Sequence, residues 1–446
     1  MPEAATRSLC PECLQVLPAV YVQEGAEVFL RKTCPEHGVF QTIVWRGEPA
    51  FAGWLRPKTP VPGHAEARPA ALGCPRDCGL CANHRQHTCC AVVEITQRCD
   101  LGCPVCYAAS GSDAPADPDL TRLGWLLDRL KAQSGDCVVQ LSGGEPCVRD
   151  DLPAIVALCK AKGFSFVQIN TNGLRLAREP DFARRLAEAG ADTIYLQFDS
   201  LDDAPYVALR GRPLRDTKLR AVDAAAAARL GVVLVATVVL GVNDGHLGAL
   251  LRFAVANGPA VRGLHLQPVS YFGRMLSIPE DAQRITLPEL MRGLETQTAG
   301  LVHAADCIPP GCEHALCSFH ASYIRRPDGS LRLVSTPEGC CGPASAAPAA
   351  EGARKAKDFT RRQWAFPEDT PEGAEAAGEM DRFLADARRR AFSLSAMAFQ
   401  DAWTMDLERL QGCCIHVLSP DGRLIPFCSY NCTSRHGQTL HRGVKA

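Results

Sequence analysis

The sequence predicts an α/β protein: six consecutive strand–helix units, preceded by a small cysteine-bearing unit and followed by a cysteine-rich region. Three observations lead there. Short β-branched runs alternate with amphipathic helical segments from Ala91 to about Pro268. The alternation is regular, which implies parallel βα units, and six in a row suit a partial barrel as well as an open sheet. And the chain of 446 residues carries 23 cysteines, most of them in groups.

Taken in order, residues 1–55 hold strand-like runs at Glu27 to Leu30 and Phe40 to Val44. They also hold two short ligand pairs, Cys10-Pro-Glu-Cys13 and Cys34-Pro-Glu-His37. Three cysteines and a histidine in this spacing suit tetrahedral Zn2+, and so small a unit needs a metal to fold. Residues 56–90 comprise a Pro/Ala-rich linker, Arg56 to Leu72, and a cysteine loop. Residues 91–300 carry the alternation. Its strands are expected at Val92 to Thr96, Val138 to Ser142, Phe166 to Asn170, Thr193 to Phe198, Val232 to Val239 and Gly263 to Pro268. Helices are expected at Leu120 to Ala132, Leu152 to Lys162, Asp181 to Ala189 and Leu214 to Leu230. In residues 301–446, Pro343 to Lys357 and Pro367 to Glu379 read as surface loops, and a helix is expected around Asp381 to Arg390.

Composition narrows the class. Lys plus Arg is 48 and Asp plus Glu 49, so the net charge is -1, which disfavours a nucleic-acid binder that relies on a basic surface. The longest apolar stretch, Leu230 to Val242, falls short of the roughly 20 residues of an integral membrane helix. The first residues lack a signal peptide's basic and apolar regions, so a cytoplasmic protein is expected. In that reducing compartment clustered cysteines point to metal rather than disulfides. The scattered Cys137, Cys147 and Cys159 are expected to pack as small hydrophobes.

Directly after the first strand stands Cys99-Asp-Leu-Gly-Cys103-Pro-Val-Cys106. Three thiolates on one loop leave one iron of a 4Fe-4S cube without a cysteine, open to chelate a ligand. The second strand ends in Ser142-Gly143-Gly144-Glu145-Pro146, glycines that let backbone approach a ligand closely and a carboxylate able to hold an ammonium group. With these two motifs in this order, the chain resembles the radical S-adenosylmethionine (SAM) superfamily over roughly Val92 to Pro268. The resemblance implies a partial (β/α)6 barrel with the cluster at the C-terminal mouth of its strands. It also implies a SAM-binding 4Fe-4S cluster, whose reduction cleaves SAM to a 5'-deoxyadenosyl radical, and an electron donor such as flavodoxin or ferredoxin. By the same likeness Gly143, Gly144 and Glu145 hold the methionine part, Ser200 and Arg210 its carboxylate or the ribose, and Asn243 the adenosine. Val105 stands where the superfamily usually has an aromatic, and the neighbouring Tyr107 is the expected substitute.

Upstream, Cys74, Cys78 and Cys81 repeat the three-cysteine spacing, with Cys89 or Cys90 available as a fourth ligand. This group is assigned to an auxiliary 4Fe-4S cluster, with structural zinc as the alternative. Cys307, Cys312, Cys317, Cys340, Cys341, Cys413, Cys414 and Cys428 hold enough thiols for a second auxiliary cluster, the alternative being buried free thiols.

The double loop and the tail segments Met397 to Trp403, Cys413 to His416 and Ile425 to Asn431 are similar to the archaeal tetraether lipid synthases and to the radical SAM methyltransferases that modify methanopterin. Both form carbon–carbon bonds at poorly activated carbons. The likeness implies methylation or alkylation of a pterin-like or other small molecule, with lipid-chain coupling, and so peripheral membrane contact, as the alternative. His84, Asp401, Asp406 and His416 become candidate contacts with or near the substrate, the alternative for each being a structural histidine or an N-cap aspartate. An iron–sulfur electron carrier or a zinc interaction module are the non-enzymatic alternatives, and neither needs Gly143-Gly144-Glu145 or a barrel.

Overall fold

The structure is a computed structural model that describes residues 4–56, 58–61, 71–112, 114–275, 277–335, 347–367 and 379–443. At the N-terminus β1 (Ala4–Leu9), β2 (Val16–Glu24), β3 (Glu27–Cys34) and β4 (Gly38–Arg46) form an antiparallel meander. The ligand pairs occupy its two knuckle turns, one between β1 and β2 and the other between β3 and β4. This unit docks on the rest of the chain. Trp45 is buried with its ring 6.0 Å from Phe51 and 5.7 Å from Trp54. The ammonium of buried Lys32 donates to Ser8 Oγ and to the carbonyls of Ala402 and Trp403, at 2.8–2.9 Å. Lys32 thereby satisfies all three of its donors on the C-terminal tail and its own sheet.

The six expected strands form as β6 (Cys90–Thr96), β7 (Val138–Gly143), β8 (Phe166–Thr171), β9 (Thr193–Gln197), β10 (Gly231–Val238) and β11 (Val261–Pro268), counting a two-residue β5 (Lys58–Thr59) before them. They pair side by side in chain order, all parallel. The helices between them cover the outer face. Helix Leu120–Ser134 is representative: Asp119 caps it by accepting from Arg122 N at 2.7 Å, and Leu123, Leu126, Leu127 and Leu130, one stripe at helical spacing, are buried. Each such leucine contributes about 2 kcal/mol relative to exposure.

The tail extends this sheet at both edges. After β12 (Ser318–Arg325), β13 (Leu331–Leu333) and a short β14 (Ala347–Pro348) that pairs with β5, β15 (Ala391–Met397) adds parallel to β11 and is flanked by antiparallel β12. At the opposite edge β16 (Ile415–Leu418) adds parallel to β6 and turns back into β17 (Leu424–Pro426). The eleven strands curl: Cys90 and Val92 of β6, and His265 and Gln267 of β11, line one common cavity of about 820 Å3.

One expectation is corrected here. The stretch read as a loop from Pro343 to Lys357 is helical from Ala349 on, in a helix that spans Ala349–Trp364, while 336–346 and 368–378 lie outside the described residues. The helix lies across the N-terminal ends of the barrel strands. The Trp364 carbonyl accepts from Thr193 Oγ1 at 2.8 Å, Arg361 pairs with Asp136 at 2.7 Å, and Gly352 lets the Gly311 backbone approach where a Cβ would sit 2.1 Å from its oxygen. Alanine-rich sequence reads locally as loop or helix, and its docking against the barrel floor selects the helix.

Candidate active site and metal centres

The loop carrying Cys99, Cys103 and Cys106 leaves the C-terminal end of β6, and all three cysteines line the cavity, half-buried. The turn after β7 is folded tightly onto its root. Gly144 N donates to Thr96 O and Glu145 N to Arg98 O, both at 2.8 Å. A Cβ on Gly143 would lie 2.0 Å from Thr96 O, and one on Gly144 2.1 Å from Arg98 O. Only glycine permits that approach, and at Gly143 the φ of +130° requires it as well.

Glu145 is buried, and burial pushes its carboxyl above the ordinary range. Its Oε1 accepts from Thr171 Oγ1 at 2.6 Å and Cys147 N at 2.9 Å, its Oε2 from Asn172 N at 2.6 Å. A carboxylate has about four acceptor positions, so one on Oε2 is left for a cationic donor at the cavity wall.

The loop is held from two further directions. Arg274, after β11, forms a two-way backbone bridge with Cys106 and donates through Nε to Cys103 O at 2.7 Å and through Nη2 to Ser110 O at 2.9 Å. Asp100 accepts from Asn172 Nδ2 at 2.7 Å. Arg210 meets Asp199 in a bidentate pair, 2.7 and 2.9 Å, and donates to Val105 O at 3.2 Å and Thr237 Oγ1 at 3.0 Å. Both partners are almost wholly buried.

Of the six residues expected to hold the cofactor, Gly144, Glu145 and Arg210 line the cavity. Gly143, Ser200 and Asn243 stand behind its wall. Asn243 spends its whole amide on backbone: Nδ2 donates to Asp199 O and Thr237 O, and Oδ1 accepts from Val239 N. Ser200 Oγ accepts from Asp202 N and meets His246 Nδ1 at 3.0 Å. Val105 and Tyr107 both line the cavity. The Tyr107 hydroxyl is 3.0 Å from Ser142 Oγ and its ring 5.4 Å from Phe427 of the tail.

Two cysteine-containing sets among the described residues bring at least three ligand atoms within 4.8 Å of one another. One is Cys10, Cys13, Cys34 and His37, a donor set that fits tetrahedral zinc. The other is Cys89, Cys312 and Cys414, all buried. This corrects the expected pairing: Cys89 joins Cys312 and Cys414 rather than Cys74, Cys78 and Cys81. Cys317, Cys413 and Cys428 lie within electrostatic reach of one another, with Cys413 also in reach of Cys89. Cys74, Cys78 and Cys81 share a separate recess with His84, Leu410, Gln411 and Pro426. There His84 and His416 meet nitrogen to nitrogen at 3.2 Å. Cys90 lines the main cavity, and its thiol donates to Gln140 Oε1 at 3.8 Å. Cys307 packs in the main hydrophobic core, as do Cys137, Cys147 and Cys159, and Cys340 and Cys341 lie outside the described residues. Asp401 is bound to Arg284 at 2.9 Å, and Asp406 caps helix Leu407–Gln411 while accepting from Thr6 and Tyr21 of the N-terminal meander. Both tie the tail to its neighbours.

The cavity runs the length of the barrel. Cys99, Cys103 and Cys106 stand at its C-terminal mouth, and Cys89 and Cys312 at the end where β6 begins, about 20 Å away for a strand of this length. Between them polar side chains of alternate strand residues face inward: Gln140, Gln168 and Asn170, Gln197, Thr237, His265 and Gln267. Burial pushes the His265 imidazole down to about 4, so it is neutral near pH 7, and its Nδ1 is 2.8 Å from Ser395 Oγ. Sequence reasoning missed Arg274, which follows no motif, and these inward amides, whose period-two spacing was a signal available on each strand.

Known proteins resemble this chain, one of them over nearly its whole length. The family described as the radical SAM superfamily matches residues 93–254, and the HMPTM N-terminal zinc ribbon domain matches residues 3–46. The chain is 32% identical to a 7,8-dihydro-6-hydroxymethylpterin dimethyltransferase of Methanocaldococcus jannaschii, over 99% of this chain and 94% of that protein. It is also 32% identical to a GTP 3',8-cyclase of Paenarthrobacter nicotinovorans, over 46% of this chain and 57% of that protein. Among solved structures, Streptococcus suis SuiB bound to S-adenosylmethionine is similar at 18% identity and a TM-score of 0.41, over 48% of each chain.

Proposed function

Because the chain belongs to the radical SAM superfamily, and to the family of the pterin dimethyltransferase it matches end to end, we propose that it methylates a pterin-like ring by forming a carbon–carbon bond. The observation that carries this reading is the cavity itself: it is closed at one end by helix Ala349–Trp364 and, within a largely apolar lining, sets side-chain amides of neighbouring strands where they can hydrogen-bond a planar heterocycle. No helix among the described residues is long and apolar enough to cross a membrane.

In this reading Cys99, Cys103 and Cys106 hold the SAM-binding cluster. Gly143 and Gly144 let the methionine part approach backbone, and Glu145 Oε2 takes its ammonium. Arg210, already neutralised by Asp199, offers its remaining Nη1 N–H to the carboxylate or ribose. Ser200 and Asn243 position that pair from behind, Asn243 through the Asp199 carbonyl. When bound and reduced, the cluster with SAM supplies a carbon radical that takes hydrogen from an unactivated carbon; flavodoxin or ferredoxin is the proposed electron donor. Cys74, Cys78 and Cys81 hold one auxiliary centre. Cys89, Cys312 and Cys414 hold another, with Cys317, Cys413 and Cys428 beside it. Cys10, Cys13, Cys34 and His37 hold zinc.

Metal analysis of anaerobically purified protein is expected to give about eight or more irons and about one zinc per chain, since each cubane holds four irons. About four irons would remove the auxiliary centres. The reaction is tested by incubating reconstituted enzyme with dithionite, SAM and 6-hydroxymethyl-7,8-dihydropterin. The expected products are 5'-deoxyadenosine and a pterin heavier by one or two methyl groups, while a deletion strain loses ring methylation. An unchanged pterin pool, with a lost chain-to-chain lipid link instead, would favour coupling.

A further inference from the structure

We propose that Gln140, Gln168 and Asn170 form a recognition edge for a planar heterocycle presenting adjacent N–H donors beside a carbonyl, the edge shared by pterin and guanine rings. The inference rests on the ring-methylation reading for the site's purpose and adds which face of the ring the protein reads. Gln140 on β7 is paired opposite Gln168 on β8, and Asn170, two residues further on, shares the inward face. All three line the cavity.

Their amides are only partly used. Gln140 Oε1 receives the Cys90 thiol at 3.8 Å and Gln168 Nε2 at 3.3 Å. A thiol donates to an oxygen here, which fixes the Gln140 amide and leaves Gln168 with its oxygen turned elsewhere. Asn170 Nδ2 donates to Ser142 Oγ at 3.1 Å. Among the described residues this leaves two acceptors, Gln168 Oε1 and Asn170 Oδ1, beside N–H donors on Gln140 Nε2 and one further N–H each on Gln168 Nε2 and Asn170 Nδ2. Gln168 is 1% exposed, and its Oε1 is buried with no donor. Buried polar groups are overwhelmingly paired, so an unmatched acceptor at the wall of a cavity points to a donor supplied from inside it. Two acceptors with amide N–H donors beside them, all uncharged, match a ring edge that carries N–H groups next to a carbonyl. Tyr195 and His265 supply nearby ring faces, 5.6 Å apart at their centroids and both at the cavity wall.

The test compares the reconstituted full chain with Gln168→Met, which keeps length but removes the acceptor, and Gln168→Glu, which keeps an acceptor. Iron content and melting temperature report whether each variant is folded. Anaerobic equilibrium binding is measured with 6-hydroxymethyl-7,8-dihydropterin, and on the unsubstituted chain also with guanosine and with inosine, which lacks the 2-amino donor. Gln168→Met is expected to weaken pterin binding about ten- to a hundredfold, and Gln168→Glu, which keeps the acceptor but loses the Nε2 bond to Gln140 Oε1, to weaken it less. Equal pterin affinity in all three proteins overturns the edge and leaves the methylation reading standing. Binding of guanosine over inosine but not of the pterin keeps the edge and overturns the pterin reading. Binding of none of the three compounds overturns both. Should either variant fail to fold, guanosine bound no better than inosine overturns the edge by itself.

Discussion

Alanine at Cys99, Cys103 and Cys106 together is expected to abolish formation of 5'-deoxyadenosine from SAM and dithionite, while absorption from the remaining iron–sulfur centres persists. The three thiols stand on one loop, at the cavity mouth, on the side of Glu145, whose Oε2 keeps an acceptor position open among the described residues. Backbone and side-chain ties hold the loop in place independently of the sulfurs: the backbone bridge between Cys106 and Arg274, the Arg274 Nε bond to Cys103 O and the Asn172 side-chain bond to Asp100. Removing the thiols is therefore expected to remove the cluster proposed on this loop with little loss of fold. Persistent 5'-deoxyadenosine in the triple variant would place the SAM cluster elsewhere, with the cysteines near the barrel's other end as the first alternative.

Asp199→Ala is expected to be the most destabilising single change near the site. Asp199 is fully buried; its carboxylate takes two bonds from Arg210, one from Thr237 N at 3.0 Å and one from Gln197 Nε2. Truncation strands the Arg210 guanidinium in a site where it is 9% exposed, and breaking a buried pair from one side costs about 3–5 kcal/mol. The same change loosens Val105 and Thr237, which Arg210 holds, so SAM binding weakens too. Thermal unfolding should fall by several degrees, and Asp199→Asn, which keeps part of the hydrogen bonding, should fall less. A melting temperature within about a degree of the unsubstituted chain would mean that the pair contributes little.

Much of this arrangement was legible because it is local. Gly143, Gly144 and Glu145 follow a strand directly, and the glycines are needed where two backbones touch, so the motif and its geometry are one fact. The zinc set was legible for a similar reason: each ligand pair is a tight turn, and the meander needs only its own residues to bring the turns together. The roles expected for Ser200 and Asn243 came from the likeness alone, and the structure puts both behind the wall, where their hydrogen bonds serve the backbone.

By itself the sequence determined the six parallel units, the helices that cover them, the three-thiol loop and the zinc knuckles. Each is specified by spacing along a contiguous stretch, which period and turn chemistry record directly. Only the tertiary structure decided which distant segments meet. Cys414 reaches Cys89 because β16 adds to the open edge of β6 with Ile415 opposite Cys90, a register more than 300 residues apart that no local pattern encodes. Helix Ala349–Trp364 became the barrel's floor because the strand ends offered it Asp136 and Thr193 and a neighbouring loop the Gly311 backbone, and Arg274 became the clamp on the cysteine loop because β11 ends beside it. Edge pairing and docking depend on the shape of a surface that exists only once the sheet has formed, and so leave no periodic trace in the chain.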